Sequence, residues 1–499
     1  MSETPFGQVD LTEGGIVKPL VVLSAPIVVT NLLQTAYNLA DTFWLGQYST
    51  EALAAISFAF PMVFLLISLG MGLAVAGSIL VAQHTGADEP REAEYAASQT
   101  VTFAFVVSAV VGLVGYPFVG PYLDLLGASP EVLPGATAYM QVIALGLPFM
   151  FGFFVFISLM RGVGDTITPM VVMFGTVVLN IALDPFLING WTLIESAPIV
   201  GTVAFPEMGI QGAAIATVFS RSLAMLVGIA IMASGWRGVR IRARDMIPDL
   251  SYLRTILRLG IPASIEGTGR AVSVNALLVV VGLFSTEVVA GYGIGTRVFS
   301  VIFLPAVAVA RGVETMTGQN IGADQPDRAA RANYVAAGGL FAVLSAVGVA
   351  IFLVPRPIVA VFSDDPAVID VGTDFLRVTA LSFGCIGIMR AFGGGFRGAG
   401  KTLVAAVIAV GTLAGIRLPV AAVLATTGLE ETGIWVAFVV SNVAGALIAF
   451  AWFRRGTWRE GDARGAGLDT SDSDAATAGA ESDASDSGGD RFGPLAAED

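Results

Sequence analysis

Residues 82–90 read AQHTGADEP and residues 318–326 read GQNIGADQP, two versions of one element separated by 236 positions. The same spacing aligns residues 23–26 (LSAP) with 259–262 (LGIP), 50–54 (TEALA) with 286–290 (TEVVA), 129–133 (SPEVL) with 365–369 (DPAVI), and 161–166 (RGVGDT) with 397–402 (RGAGKT). Five matches in one ungapped register mark an internal duplication rather than chance. The register breaks where GIQGAA from Gly209 pairs with GIWVAF from Gly433, an offset of 224, so the first half carries about twelve extra residues between 185 and 208.

Each half contains six apolar segments of spanning length. They cover approximately 18–46, 53–82, 96–120, 134–160, 168–190 and 208–235, then 255–283, 288–318, 332–354, 368–394, 402–426 and 432–453. Apolar residues form 55% of the chain and charged ones 13%, about half the charge of an ordinary soluble domain. Mean hydropathy is +0.78. The amino terminus lacks the basic region of a secretory signal. The expected fold is therefore an all-α polytopic membrane protein with twelve transmembrane helices in two six-helix lobes. Because six is even, both halves start on the same side of the membrane. The lobes should then be related by a pseudo-two-fold axis along the membrane normal, with the binding site in the cleft between them.

The expected segments are a cytoplasmic amino terminus (1–17), an N-lobe (18–235), an inter-lobe linker (236–254), a C-lobe (255–455) and a disordered acidic tail (456–499). Arg237, Arg240, Arg242, Arg244, Arg254 and Arg258 crowd the central connection, and Arg454, Arg455 and Arg459 follow the last helix. The opposite face has Arg356 as its clear exception to a lack of basic residues. By the positive-inside rule both termini are cytoplasmic, in the plasma membrane. From Glu460 onward eleven acids and two arginines supply −9 of the net −13, in a Ser/Asp/Gly/Ala-rich run that buries no core. Only Lys18 and Lys401 are lysines, a composition shared by halophiles and by GC-rich genomes. Cys385, the one cysteine, sits in an apolar run and has no partner for an intramolecular disulfide.

GGGFRGAGKT (393–402) matches the phosphate-loop pattern through Gly395, Gly400, Lys401 and Thr402. A phosphate loop needs a strand before it and a helix after it. Here the motif is the second copy of a repeat whose first copy has Asp165 in place of the lysine, and apolar helices flank both copies. ATP binding is excluded on that context, and both copies read as short polar connections. No nucleophile with its base, paired metal-ligand histidines or cofactor motif points to an enzyme. No cofactor and no nucleic acid are expected.

An acidic residue in a spanning helix costs roughly 2.5–3.5 kcal/mol on insertion scales, so each one needs a reason. Helix 1 contains QTAYNLADTFW, with Tyr37 and Asp41 on one face; helix 5 contains NIALDP, with Asn180 and Asp184 at the same spacing. If both helices face one cavity, the two carboxylates repel and either share a proton or are neutralised by sodium. Their repeat mates are Leu277, Ile416 and Val420. That asymmetry favours an ion-coupling site in the first half over a static inter-helix pair. Glu266 and Arg270, one turn apart, form a pair or a second transport site. Arg297 and Arg417 are counter-ions for a carboxylate or a substrate anion, Arg311 and Glu314 a loop-side ion pair, and His84, which maps to Asn320, a loop residue. Pro26 is placed to kink helix 1 below Asp41, although its mate Pro262 argues for a shared architectural feature.

The elements QTAYNLADTFW, AQHTGAD with GQNIGAD, RGVGDT with RGAGKT, and NIALDP together resemble the multidrug and toxic compound extrusion (MATE) transporters over residues 15–455, most closely the DinF-like branch. The resemblance implies two lobes forming a V and export of amphipathic or cationic compounds by sodium or proton antiport. It further implies that Tyr37, Asp41, Asn180 and Asp184 belong to an N-lobe polar network, with Tyr139 and Thr217 at further matching positions, Thr217 an ion ligand, and Gln34 facing the cavity. Some relatives place asparagines on helix 4 where this chain has Phe153, Phe154 and Ile157. Small amphipathic molecules and membrane lipid are the expected partners of a monomer. The alternative is a flippase for a lipid-linked glycan or lipid. That reading requires many cationic side chains in the cleft, and the sequence offers few within the bilayer.

Overall fold

The computed structural model describes residues 10–197 and 201–464, with side chains 192–205 outside the description. Among the described residues, eleven single helices and one bent pair are long and apolar enough to span a bilayer. We number them α1 (Val17–Tyr48), α2 (Thr50–Gly86), α3 (Pro90–Gly115), α4 (Leu133–Gly162), α5 (Ile167–Asn189), α6 (Gly209–Ser234), α7 (Leu250–Val281), α8 (Thr286–Gly322) and α9 (Pro326–Leu353). In α10, Pro366–Ala380 and Phe383–Gly398 meet at 55°; α11 is Thr402–Leu424 and α12 is Glu430–Arg454. The expected two-lobe helical class holds, with one addition. The extra residues of the first half form a hairpin, β1 (Trp191–Ala197) with β2 (Gly201–Phe205), antiparallel from Trp191 opposite Phe205 to Ala197 opposite Gly201.

Two separate apolar cores, one per lobe, carry the packing. The lobes nevertheless exchange the starts of their first helices. Leu20 and Leu23 of α1 pack in the C-lobe core, whereas Ile256 and Leu259 of α7 pack in the N-lobe core. Each pair is separated by the repeat's own 236 positions, so the swap obeys the pseudo-two-fold relation.

The repeated element builds the closed end of the molecule. After α2 and after α8 the chain turns through Asp88 and Asp324, at φ 57° and 54°, a left-handed conformation that aspartate tolerates. Gln83 Nε2 then donates to the carbonyl of Gly398, and its mate Gln319 donates to that of Gly162, at 3.1 and 2.9 Å. Each bond ties one lobe's α2-type helix to the other lobe's RGxG turn. No side chain fits at Gly86 or Gly322, because a Cβ at either would overlap the backbone carbonyl of the glutamine in the opposite lobe. Replacing Gly322 with valine therefore wedges α2 from α8 at a cost of about 1–3 kcal/mol. The expected result is faster amide hydrogen exchange at 83–86 and 319–322, with the far lobe ends unchanged.

Three sequence expectations need correction here. Residues 456–464 do not belong to a disordered tail: Trp458 and Ala463 are buried, Gly461 accepts from Gln83 Nε2, Ala463 N donates to Gln83 Oε1, and Arg464 pairs with Glu89. Residues 465–499 lie outside the described residues. The GGGFRGAG run is also not a loop. It is helical through Gly398, and the side chain of Asn333 fills the space a Cβ at Gly395 would need. Only residues 399–401 connect the helices. His84 likewise sits in the last turn of α2, with Nδ1 2.8 Å from Glu89.

The basic linker is strapped to α3. Arg91 pairs with Asp245, Arg242 with Glu94, and Gln99 holds the carbonyls of Asp245 and Ile247. Asp249 caps α7 by accepting from Ser251 N and Tyr252 N, and its other oxygen accepts from Tyr95. Hydrogen bonds from Ser251 and Tyr95 hold its carboxyl below the usual carboxylate range, so this cap weakens as pH falls through that lowered value.

Candidate functional site

A cavity of about 650 Å³ is lined by Thr42 and Leu53, by Asp41, and by Glu266 and Arg397. A second cavity of about 400 Å³ continues inside the C-lobe and shares Arg270 and Arg390 with the first.

On the N-lobe wall the structure unites the residues singled out from sequence. Four-residue spacing puts Tyr37 and Asp41 on one face of α1, and Asn180 and Asp184 on one face of α5. Packing of α1 against α5 and α6 then sets Asp41 beside Asp184 and Thr217. Tyr139 reaches the same cluster from α4. Asn180 and Asp184 are fully buried and Asp41 is 5% exposed. Asn180 Nδ2 donates to Asp184 at 3.3 Å. Gln34 lines the cavity one turn before Asn38, and Pro26 lies inside α1 about four turns before Asp41.

Sequence reasoning missed a member of this cluster. Arg221, one turn beyond Thr217 on α6, is buried with its guanidinium 5.1 Å from the Tyr37 ring and 5.6 and 5.4 Å from those of Phe153 and Phe154. Phe153 and Phe154, with Tyr37, thus hold a cation by their ring faces. Its NH2 donates to Gln34 Oε1 at 2.9 Å. An arginine within an apolar helix was the available signal.

Five buried oxygens here, Tyr37 Oη, Asp41 Oδ1, Asn180 Oδ1, Asp184 Oδ2 and Thr217 Oγ1, make no well-aligned hydrogen bond, although Asp41 lies within reach of Asp184 and Thr217, and Tyr37 within reach of Thr217; Arg221 Nε and NH1 beside them are also unpartnered. A buried polar atom left unpaired costs about 1–3 kcal/mol, so a cluster of them is expensive to keep in a membrane lobe. All five are oxygens, the donor type preferred by hard cations. Among the described residues no three His, Cys, Asp or Glu side chains gather, so the carboxylate count stays at two. With both carboxylates ionised, Arg221 leaves the cluster one net negative charge, which one monovalent cation or one proton neutralises.

Glu266 is not part of that cluster. It lies on the C-lobe side, gripped by Arg397 NH1 at 3.1 Å and Arg270 NH2 at 3.2 Å. Arg397 also gives Nε to Glu314 at 2.8 Å, and Arg311 pairs with the same carboxylate at 2.9 Å. The Arg270 pairing expected from sequence is present, but the main clamp is Arg397, from the motif that mimics a phosphate loop. Arg417 ends a π-helical turn, Gly411–Arg417, that breaks α11; it bonds Ser441 and Asn442 and stacks 4.1 Å from Phe438. The sequence count of few cationic side chains within the bilayer fails once the chain is folded. Arg161, Arg221, Arg270, Arg311, Arg390 and Arg397 all reach the wall of the main cavity.

A family model, MatE, matches residues 26–186 and again 262–423, each half once and at the spacing of the repeat. A probable multidrug resistance protein, YoeA, of Bacillus subtilis (strain 168) is 28% identical over 91% of this chain and 96% of its own length. A protein named FAD transporter from Shewanella oneidensis is 27% identical over 83% of this chain and 89% of its own. Among solved structures, the outward-facing conformation of a multidrug resistance MATE family transporter superimposes with a TM-score of 0.81 at 25% identity, covering 91% of this chain and 98% of that one. Two helical lobes, a cleft between them and a family match seated on both copies of the repeat lead to one conclusion: this chain belongs to the MatE family of multi-pass membrane transporters.

Proposed function

We propose that the protein is a secondary active efflux antiporter of the DinF-like branch, exchanging one Na+ or H+, taken at Asp41 and Asp184, for an amphipathic compound. The observation that supports this reading is the buried cluster of two carboxylates, one guanidinium and five oxygens without well-aligned partners. Positive-inside counting makes the linker end cytoplasmic in the plasma membrane. The described conformation, closed at Gln83 and Gln319, is then outward-facing. An ion arriving from outside bridges the two carboxylates and draws α1 toward α5. A ligand shifts a conformational equilibrium only through its differential affinity for the two states. Ion and substrate therefore compete for one conformation or cavity, and ion entry expels the substrate outward. A monomer contains the complete cleft.

The test uses proteoliposomes driven separately by a sodium gradient and a pH gradient, with efflux of a fluorescent cation and a fluorescent anion followed in parallel. Acceleration by one gradient, with substrate-dependent uptake of that ion, is the expected result. Efflux indifferent to both gradients overturns the reading. The arginine-lined cavity supports a second reading, movement of a lipid-linked anion. The relative named FAD transporter also supports an anionic cargo on this architecture.

A further inference from the structure

The floor of the cleft does not match a cationic cargo. Around Glu266 and Glu314 stand five arginines, Arg161, Arg270, Arg311, Arg390 and Arg397, each within electrostatic reach of these carboxylates or of each other. Two carboxylates leave three positive charges uncompensated. Arg397, Arg270 and Arg311 are committed to the glutamates by the bonds given above. Arg390 is different: it makes no ion pair among the described residues, its Nε has no hydrogen-bond partner, and its guanidinium rests 5.8 Å from the Phe303 ring. It lines both cavities, at the junction of the wide polar cleft and the C-lobe pocket. That pocket is walled by Tyr292, Phe299, Phe303 and Phe438, a surface for a planar apolar body. The repeat mate of Arg390 is Phe154, so the duplication does not require a cation here.

We infer that this junction is a binding site for an amphipathic organic anion, whose phosphate or carboxylate group meets Arg390 while its apolar body enters the aromatic C-lobe pocket. The inference rests on the reading of the cleft as a transport cavity, and it replaces the cationic cargo implied by the family resemblance. Arginine's planar fork suits a two-oxygen acid group. An acid group placed here also lowers the excess positive charge of the floor, whereas a cation placed here raises it. Division of labour follows: the N-lobe, net negative, takes the coupling cation, and the C-lobe floor, net positive, takes the cargo's acid group. The acid group can belong to a water-soluble compound or to a lipid headgroup.

The test is equilibrium binding to the full-length protein in nanodiscs, with no gradient present. Riboflavin 5′-phosphate and riboflavin form the probe pair, since they share a planar ring and differ by one phosphate. In phosphatidylcholine discs the phosphate is expected to bind roughly tenfold or more tightly than the neutral form, and Arg390→Gln is expected to erase that difference. In phosphatidylglycerol discs, retained binding identifies a soluble anion as the occupant class, and competition that Arg390→Gln abolishes identifies an anionic headgroup. Equal affinity for the two probes, no binding of either, or a preference that survives Arg390→Gln overturns the inference. Asp41→Asn separates the two readings: phosphate binding kept in Asp41→Asn and lost in Arg390→Gln supports the anion site whatever the outcome of the gradient experiment.

Discussion

Asp41→Asn protein, reconstituted and given either gradient, exports substrate no faster than it leaks. The substitution keeps size and shape and removes one charge. With Asp184 and Arg221 remaining, the N-lobe cluster becomes neutral and no longer attracts a cation into buried surroundings. Moving a two-state transporter from 1:99 to 99:1 takes roughly a 10⁴-fold difference in ion affinity between the states. Losing most of that difference should slow gradient-driven efflux on the order of 100-fold. Equilibrium binding of cargo should remain, because Asp41 lies on the N-lobe wall, away from Arg390. Thr217→Ala, which removes one neutral oxygen, is expected to cost roughly tenfold, within the range seen for groups that orient a bound ion. Normal gradient-driven export by Asp41→Asn would sink the assignment. Export lost in Asp41→Asn but normal in Asp184→Asn would reduce the site to one carboxylate.

Arg221 sharpens the reasoning about stoichiometry. Two buried carboxylates alone would favour two monovalent cations or one divalent ion. A buried guanidinium beside them leaves one charge to neutralise, so one ion per cycle suffices. That argument was not available from the helix 1 and helix 5 motifs, because Arg221 comes from α6 and joins the cluster only through tertiary packing. The carboxylates themselves were legible. Each stands in an apolar helix with a polar neighbour four residues away, and the repeat exposes them by placing Leu277 and Val420 at the matching positions. The topology was legible for the same reason: a duplication is periodic and needs no knowledge of contacts.

Elsewhere the sequence signal ran out for identifiable physical reasons. The partners of Arg397 are 131 and 83 residues away, so nothing local distinguishes a clamp between helices from a loop lysine's neighbour in a phosphate-binding pattern. The first tail residues follow a helix end and precede a low-complexity run, and composition averages across that boundary. Trp458 is buried against Phe453, to whose carbonyl its Nε1 donates, and Gln83, distant in sequence, presents a side-chain amide that holds Gly461 and Ala463. The two strands after α5 pair in an antiparallel register that lies outside the apolar periodicity that located the helices.

The largest loss of stability is expected at Arg397. Its guanidinium is buried and forks between Glu266 and Glu314, on α7 and α8, so Arg397→Gln leaves two buried carboxylates short of their shared cation. Breaking a buried pair from one side costs about 3–5 kcal/mol. Native stability is only about 5–15 kcal/mol, so the variant should lose much of its thermal stability in detergent, read from near-ultraviolet circular dichroism, or fail to accumulate. Arg397→Lys should fall between, since an ammonium is a point charge and cannot match both carboxylates with a planar fork. The double variant Glu266→Gln/Arg397→Gln should melt above Arg397→Gln alone, because the charge left unpaired has been removed with its partner. The repeat mate Arg161 provides the internal control. It occupies the equivalent position, but its recorded hydrogen bond goes to Ser158 Oγ at 2.6 Å rather than to a carboxylate, so Arg161→Gln should cost only about 1 kcal/mol. A melting curve for Arg397→Gln that coincides with the parent's would remove the clamp from the account of the C-lobe. Equal losses at the two positions would mean that their common place in the repeat, not the carboxylates, sets what these arginines contribute.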